Sequence, residues 1–237
     1  MIWLGIETAN APLSVAVVKD GKVMAEVVQN IKLTHSAGAM PAIETILANV
    51  GVKPNELDAI AVSEGPGSYT GVRIGVTLAK TLAWTLQKPL VGVSSLKVLA
   101  ANAALFDGLI CPIFDARRGN VYTAVYKGTK LDVVIEDYHD HIEALLTRLE
   151  ALNAPILFVG ADVDVFWDKI VEVLGVNACR AALHEDLPRA SAAILLASAE
   201  ELPSIEAVHH FTPQYKRIAE AEANWLKEQK EKKTHEQ

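Results

Sequence analysis

Apolar and polar positions along the chain fall into short blocks that switch between a period of 2 and a period of 3.6. Residues 2–8 are apolar up to Glu7 and read as a buried strand. Two more apolar-rich strands, 14–19 and 22–28, flank Asp20-Gly21, a two-residue hairpin turn. A helix is predicted over about 36–50, with Met40, Ile43, Ile46, Leu47 and Val50 apolar and Pro41 in its first turn or at a kink. A strand at 57–63, a long helix from Ser68, a strand at 89–93 and a helix opening at Ser94 or Ser95 follow. Ser68 and Ser94 both suit an N-cap.

The long helix stands out. From Tyr69 to Gln87 its only charges are Arg73 and Lys80. Small residues recur every fourth position at Gly71, Gly75, Ala79 and Ala83, a smooth stripe against which another backbone can pack. A second apolar stripe runs through Ile74, Leu78, Leu82 and Thr85. A helix apolar on two sides is covered on two sides, so the expectation is a surface made for another protein.

The second half repeats the plan of the first. A shift of 108 positions lays Ile6-Glu7 on Phe114-Asp115, Ala16-Val17 on Ala124-Val125, Lys19 on Lys127 and Lys22 on Lys130. A hairpin turn at Lys127-Gly128-Thr129 stands where the first half has Asp20-Gly21, and helix (141–152), strand (155–159) and helix (162–174) follow in the same order. The order βββαβα, met twice, predicts two lobes facing each other across a cleft. The first lobe is expected over 1–105, the second over 106–212, and a charged helical tail over 213–237. In that tail Ile218, Trp225 and Leu226 share one side, Glu228 and Lys232 form an (i, i+4) pair, and 230–237 are expected to fray.

Composition narrows the classes. The 237 residues are 51% apolar, enough for a sizeable core. A net charge of −7 argues against a chain that grips nucleic acid alone. Cys111 and Cys179, far apart in apolar settings, read as thiols in a reducing cytosol. The apolar start meets Glu7 without a basic leader, and no apolar run reaches the ~20 residues a membrane span needs. A soluble cytoplasmic protein is expected.

Candidate chemistry is sparse. Glu7 and Asp115, each ending the first strand of a lobe, would face the cleft, where such acids can hold a hydrated metal and the adjacent hairpins cradle phosphate, with Thr8 and Arg118 beside them. They equally suit satisfaction of local backbone amides at strand ends. Gly65-Pro66-Gly67 before a helix could bind an anion, or merely make a sharp turn. Arg117 and Arg118 could hold a carboxylate or phosphate, or pair with acids of this chain or of a partner. The seven histidines show no metal-ligand spacing, and neither H-E-x-x-H nor G-x-S-x-G is present. No catalytic or metal-binding residue is therefore assigned.

Several runs together carry a family likeness. Ile6-Glu7-Thr8-Ala9, His35-Ser36 through Met40-Pro41, Gly65 to Gly75, Val91-Gly92-Val93-Ser94-Ser95-Leu96, Asp115-Ala116-Arg117-Arg118-Gly119 with Val121-Tyr122, and Pro213-Gln214-Tyr215-Lys216-Arg217 with Glu220-Ala221-Glu222 resemble the TsaB (YeaZ) family, in order, over nearly the whole chain. The resemblance implies an α/β fold of two tandem actin-like (ribonuclease H-like, βββαβα) lobes, mixed sheets flanked by helices. It implies a non-catalytic role in forming threonylcarbamoyladenosine in tRNA, beside a related catalytic subunit, TsaD, and a small ATPase, TsaE, with tRNA met only through the complex. The family pairs through its first two helices, here 36–50 and 69–86. That picks out His35, Met40, Ile43, Leu47, Tyr69, Val72, Arg73, Gly75, Val76, Ala79 and Ala83 as interface candidates, Met40 and Tyr69 as anchors. The catalytic relative carries a His-x-x-x-His metal pair where this chain has Ser95 and Leu99. Glu7 stands where most of the family has Asp and the catalytic relative has Glu.

The reading is an accessory subunit without a cofactor, with weak ATP or ADP binding left open, and a homodimer when alone. A stand-alone ATP-dependent phosphotransferase of the actin-like class is the alternative, resting on fold analogy and the paired acids.

Overall fold

The computed structural model describes residues 1–31 and 35–216. The expected tail features beyond Lys216 lie outside the described residues.

Two sheets carry the molecule. In the first, β1 (Ile2–Glu7), β2 (Leu13–Lys19), β3 (Lys22–Gln29), β4 (Ala59–Gly65) and β5 (Leu90–Ser94) lie in the order β3-β2-β1-β4-β5. The second holds β6 (Leu109–Asp115), β7 (Asn120–Lys127), β8 (Asp132–His141), β9 (Ile156–Val159) and β10 (Ala178–Arg180) in the order β8-β7-β6-β9-β10. Each sheet is antiparallel across its first three strands and parallel across the rest. The repeat is therefore one of topology. At the first hairpin both Asp20 and Gly21 take positive φ, as a tight primed turn requires.

Among the described residues six α-helices cover the sheets: α1 (His35–Val50), α2 (Tyr69–Leu86), α3 (Ser95–Ala100), α4 (Ile142–Glu150), α5 (Trp167–Leu174) and α6 (Ala190–Ala197). Ser68 and Ser94 cap α2 and α3 as expected, accepting from the Gly71 and Lys97 amides. Pro41, expected in the first turn of α1 or at a kink, lies six residues inside it, on the exposed side.

Strand side chains alternate between the layers. Leu4, Ile6, Ile60 and Val62 pack beneath α1 and α2, while Trp3, Ala59 and Ala61 face α6. In the second sheet Cys111, Ile113 and Val125 pack beneath α4 and α5, and Ile110, Phe114 and Tyr126 beneath α3. Burial on both faces is why these strands read as unbroken apolar runs.

The helices between the sheets are exchanged. α6 follows the second sheet in sequence but covers the first, and α3 follows the first sheet but packs on β6 and β7. The last described stretch then lies along α2: a 3-10 turn, Ile205–His210, leads into an extended strap ending at Lys216. The expected lobes of 1–105 and 106–212, with 213 opening a tail, need correcting to this extent. Residues 190–216 return to the first lobe because its inner sheet face and the flank of α2 need apolar cover.

Candidate functional site

The Gly65 to Gly75 run is shaped by the chain's own backbone. A Cβ at Gly67 or Gly71 would come within 2.2 Å of the Ala9 or Thr8 carbonyl oxygen, and one at Gly75 within 2.3 Å of Thr8 Oγ1. The Ser68 amide bonds the Ala9 carbonyl (2.7 Å), and Thr8 Oγ1 donates to the Gly71 carbonyl (2.8 Å). Gly65, at φ +114°, faces the Gln214 carbonyl of the strap. These glycines let α2 and the strap approach the end of β1, as the sharp-turn explanation requires.

The small-residue stripe thus points inward. Ile43, Leu47, Val72, Gly75, Val76, Ala79 and Ala83 are buried in the first lobe's own core and offer no surface to another chain. This corrects their place among interface candidates. A helix periodicity shows that a face is covered, not by what. His35 is likewise turned away, its Nε2 2.9 Å from the Asn10 carbonyl oxygen at the cleft. Met40, Tyr69 and Arg73 are exposed.

α2 has three distinct sides. Away from the sheet, and next to its strap side, it presents Thr70, Ile74, Thr77, Thr81 and Thr85, flanked by half-buried Leu78 and Leu82. The neighbouring α1 exposes Ala37, Met40, Pro41, Glu44 and Ala48. Glu44 lies in that combined surface, and Arg73 borders it on the strap side. The 7-4-4 spacing of the threonines was the available sequence signal for the outward side.

The strap side takes up the charges of α2. Tyr215 Oη hydrogen-bonds Arg73 Nε at 2.6 Å, and the Arg73 guanidinium lies 4.0 Å over the Tyr69 ring. Lys80 Nζ donates to the carbonyls of His209 (3.1 Å) and Phe211 (2.7 Å), and Trp84 meets the His209 ring. The Gln214 amide bonds the Glu64 carbonyl at 2.7 Å. Burial, then the Asp137 carboxylate, raise the Glu64 pKa, while Lys216 opposes them.

The candidate acids do not form a pair. Glu7 is fully buried and absent from the cleft wall, accepting from Ser63 Oγ and, at 2.6 Å, from the Ala9 amide. Burial pushes its carboxyl up to about 7, against the two hydrogen bonds. Thr8 is buried with it. Asp115 is exposed at the cleft and accepts from the Arg117 amide at 2.8 Å. Both acids therefore serve neighbouring backbone amides, so the paired-acid arrangement is corrected. Arg117 lines the cleft, whereas Arg118 is exposed outside its wall.

At the positions of the metal-binding histidines, Ser95 Oγ accepts from the Gly65 amide at 3.1 Å, and Leu99 is buried between α3 and the second sheet. Among the described residues no three His, Cys, Asp or Glu side chains gather as a metal site.

The cleft has a volume of about 860 Å³. Asn10, Ala11, His35, residues 66–70, Val72 and Arg73 form its first wall, Phe114 to Arg117 and Tyr122 its second, and Gln214, Tyr215 and Lys216 its rim. Asp162 latches it, taking the Asn10 side-chain amide (3.1 Å) and the Asp115 backbone amide (3.0 Å) on one oxygen.

With this geometry established, similarity to known proteins becomes informative. The family model of TsaD, tRNA N6-adenosine threonylcarbamoyltransferase, matches residues 22–234. The tRNA threonylcarbamoyladenosine biosynthesis protein TsaB of Bacillus subtilis (strain 168) is 44% identical over 232 residues, 97% of this chain and 100% of that one. The chain belongs to the TsaB family. Its likeness to a tRNA N6-adenosine threonylcarbamoyltransferase of Thermomicrobium roseum, 34% over 113 residues, spans 41% of this chain and only 31% of that enzyme. A Pseudomonas aeruginosa structure described as an uncharacterized protein with similarity to peptidase YEAZ superposes with a TM-score of 0.77 at 26% identity, covering 91% of this chain and 99% of that one. The fold is the actin-like, two-lobed α/β architecture that the TsaB motifs imply. No helix among the described residues is long and apolar enough to cross a membrane.

Proposed function

We propose that this chain serves tRNA threonylcarbamoyladenosine formation as a non-catalytic cytoplasmic subunit, pairing with a TsaD-type catalytic subunit and acting beside a TsaE-type ATPase. It meets tRNA through that complex. The outward surface of α1 and α2 carries the reading. It is largely exposed, and across two helices its charges are Glu44 and, at the strap edge, Arg73, amid threonine, alanine and aliphatic side chains. Such a face loses little on dehydration and gains from apolar cover. Alone, the chain would use the same face to pair with a second copy.

The non-catalytic part is supported by what fills the positions of the histidine pair. Ser95 is spent on the Gly65 amide and Leu99 on the core, so a cation placed there would meet hydrocarbon rather than ligands. Glu7, closed off beneath Ser63 and Ala9, offers little to a phosphotransferase.

Co-expression of the tagged chain with the TsaD homologue of the same cell tests the pairing. The wild type should co-elute with it, and Met40→Glu/Thr77→Arg should reduce recovery at least roughly tenfold while keeping its circular dichroism, since charges would be buried unpaired. Undiminished recovery of the variant, or none with the wild type, overturns the proposal.

A further inference from the structure

The seam between α2 and the strap stays open to solvent although it carries side chains suited to a partner. Tyr69, Arg73 and Trp84 of α2 and Tyr215 of the strap are all exposed. Tyrosine, tryptophan and arginine are the types that dominate the energy of protein interfaces. From Tyr69 to Trp84 the seam follows about 22 Å of helix, at a rise of about 1.5 Å per residue. Arg73 has Thr70 and Thr77 as its neighbours on the helix surface, one turn away on either side. The seam therefore borders the outward face of α1 and α2 along its length.

Arg73 is held in place but not neutralised. Its Nε donates to Tyr215 Oη at 2.6 Å, and the guanidinium lies 4.0 Å over the Tyr69 ring and 5.6 Å from the centre of the Tyr215 ring. The two rings are themselves neighbours, 5.3 Å between centres. These contacts orient the guanidinium before anything binds. Among the described residues no carboxylate is paired with it. An arginine carries five N–H donors, so donors at the Nη ends remain to receive a planar anion in paired hydrogen bonds. Lys80, the other cation of α2, is spent on strap carbonyls.

We propose that this seam receives a carboxylate of the protein that covers α1 and α2: an aspartate or glutamate of the TsaD-type subunit, seated on Arg73 beside Tyr69 and Tyr215. The inference rests on the pairing proposed above and adds the strap to it, as the element that aims Arg73. Along α2 the neighbours of Arg73 are threonines rather than further cations, and the chain carries a net charge of −7. Such a site suits a single carboxylate of a protein better than a nucleic-acid backbone, which needs clustered cations. Once a partner covers the seam, the pair is withdrawn from water and its attraction strengthens.

Titration of the full-length chain with the purified TsaD homologue of the same cell, at about 50 and about 300 mM NaCl, tests the proposal. Arg73→Gln should weaken binding about tenfold at the lower salt and remove most of the salt dependence shown by the wild type. Arg73→Lys should keep that dependence yet bind several-fold more weakly than the wild type, because an ammonium lacks the fork. Tyr215→Phe leaves the charge in place and should bind about threefold more weakly, since Arg73 is no longer aimed. In Arg73→Gln, wild-type affinity for the homologue overturns this inference and leaves the pairing standing. Weaker tRNA capture or weaker self-association alongside it would assign Arg73 to a phosphate or to a second copy instead. A loss of affinity with unchanged salt dependence also overturns the inference, because a loosened strap would explain it. So does full rescue by Arg73→Lys, which would reduce the role to long-range charge. No binding by the wild type overturns the pairing and this inference together.

Discussion

Glu7 shows how far one residue's environment departs from its sequence. At the end of an apolar strand before Thr8-Ala9-Asn10 it reads as a cleft acid. In the fold it is sealed, and its hydrogen bonds run to Ser63 and the Ala9 amide. Its carboxyl titrates near 7 rather than the ordinary 4.5, because burial disfavours the ion. Between those values the folded chain holds a proton that the unfolded chain has lost. Stability therefore falls as pH rises from about 4.5 to about 7, and the loss persists above. Glu7→Gln removes the ionisation while keeping an acceptor for Ala9. It should raise stability at pH 8 by about 3 kcal/mol and flatten the dependence across that window. Urea denaturation at pH 5 and pH 8 checks both, and equal gains at the two pH values would refute the burial argument.

At the scale of elements, α2 is the instructive case. Its low charge and twin stripes were legible, and the glycine–alanine stripe is covered as expected, but Ile74 and Thr85 of the second stripe stand on the outward face. The occupants were not legible. The glycine–alanine stripe lies on the first sheet and Thr8, the flank bearing Arg73, Lys80 and Trp84 meets the strap, and only the threonine face is left outward. Gly75→Ala should consequently destabilise the chain by about 1–3 kcal/mol, since its methyl must displace Thr8 Oγ1. Thermal unfolding would show this in the isolated protein, with no partner present. An unchanged midpoint would mean that the β1 end yields freely. A surface stripe made for another protein would instead tolerate the methyl alone and fail only on binding.

At the scale of the molecule, exchange of α3 and α6 locks the lobes together. Ile194 and Ala190 close the first sheet's inner face, with the Ala190 carbonyl against Gly5. Leu96 and Leu99 close the second sheet's. Neither lobe keeps its core without the other's helix, so unfolding should be a single cooperative transition. Ile194→Ala should cost about 2–5 kcal/mol and speed hydrogen exchange equally in peptides from β4 and β9. Acceleration confined to β4 would show that the lobes open separately.

Local pattern alone determined the strands other than β10, the caps at Ser68 and Ser94, the duplication and the TsaB family motifs, because alternation, helix period and turn chemistry act over a few residues. Tertiary structure alone decided which stripe of α2 is inside, that Glu7 is sealed while Arg117 is in the cleft, and that residues 190–216 return to the first lobe. Those outcomes depend on what packs against a face, and the partners stand about 55 to 190 residues away in sequence, beyond the reach of any periodicity.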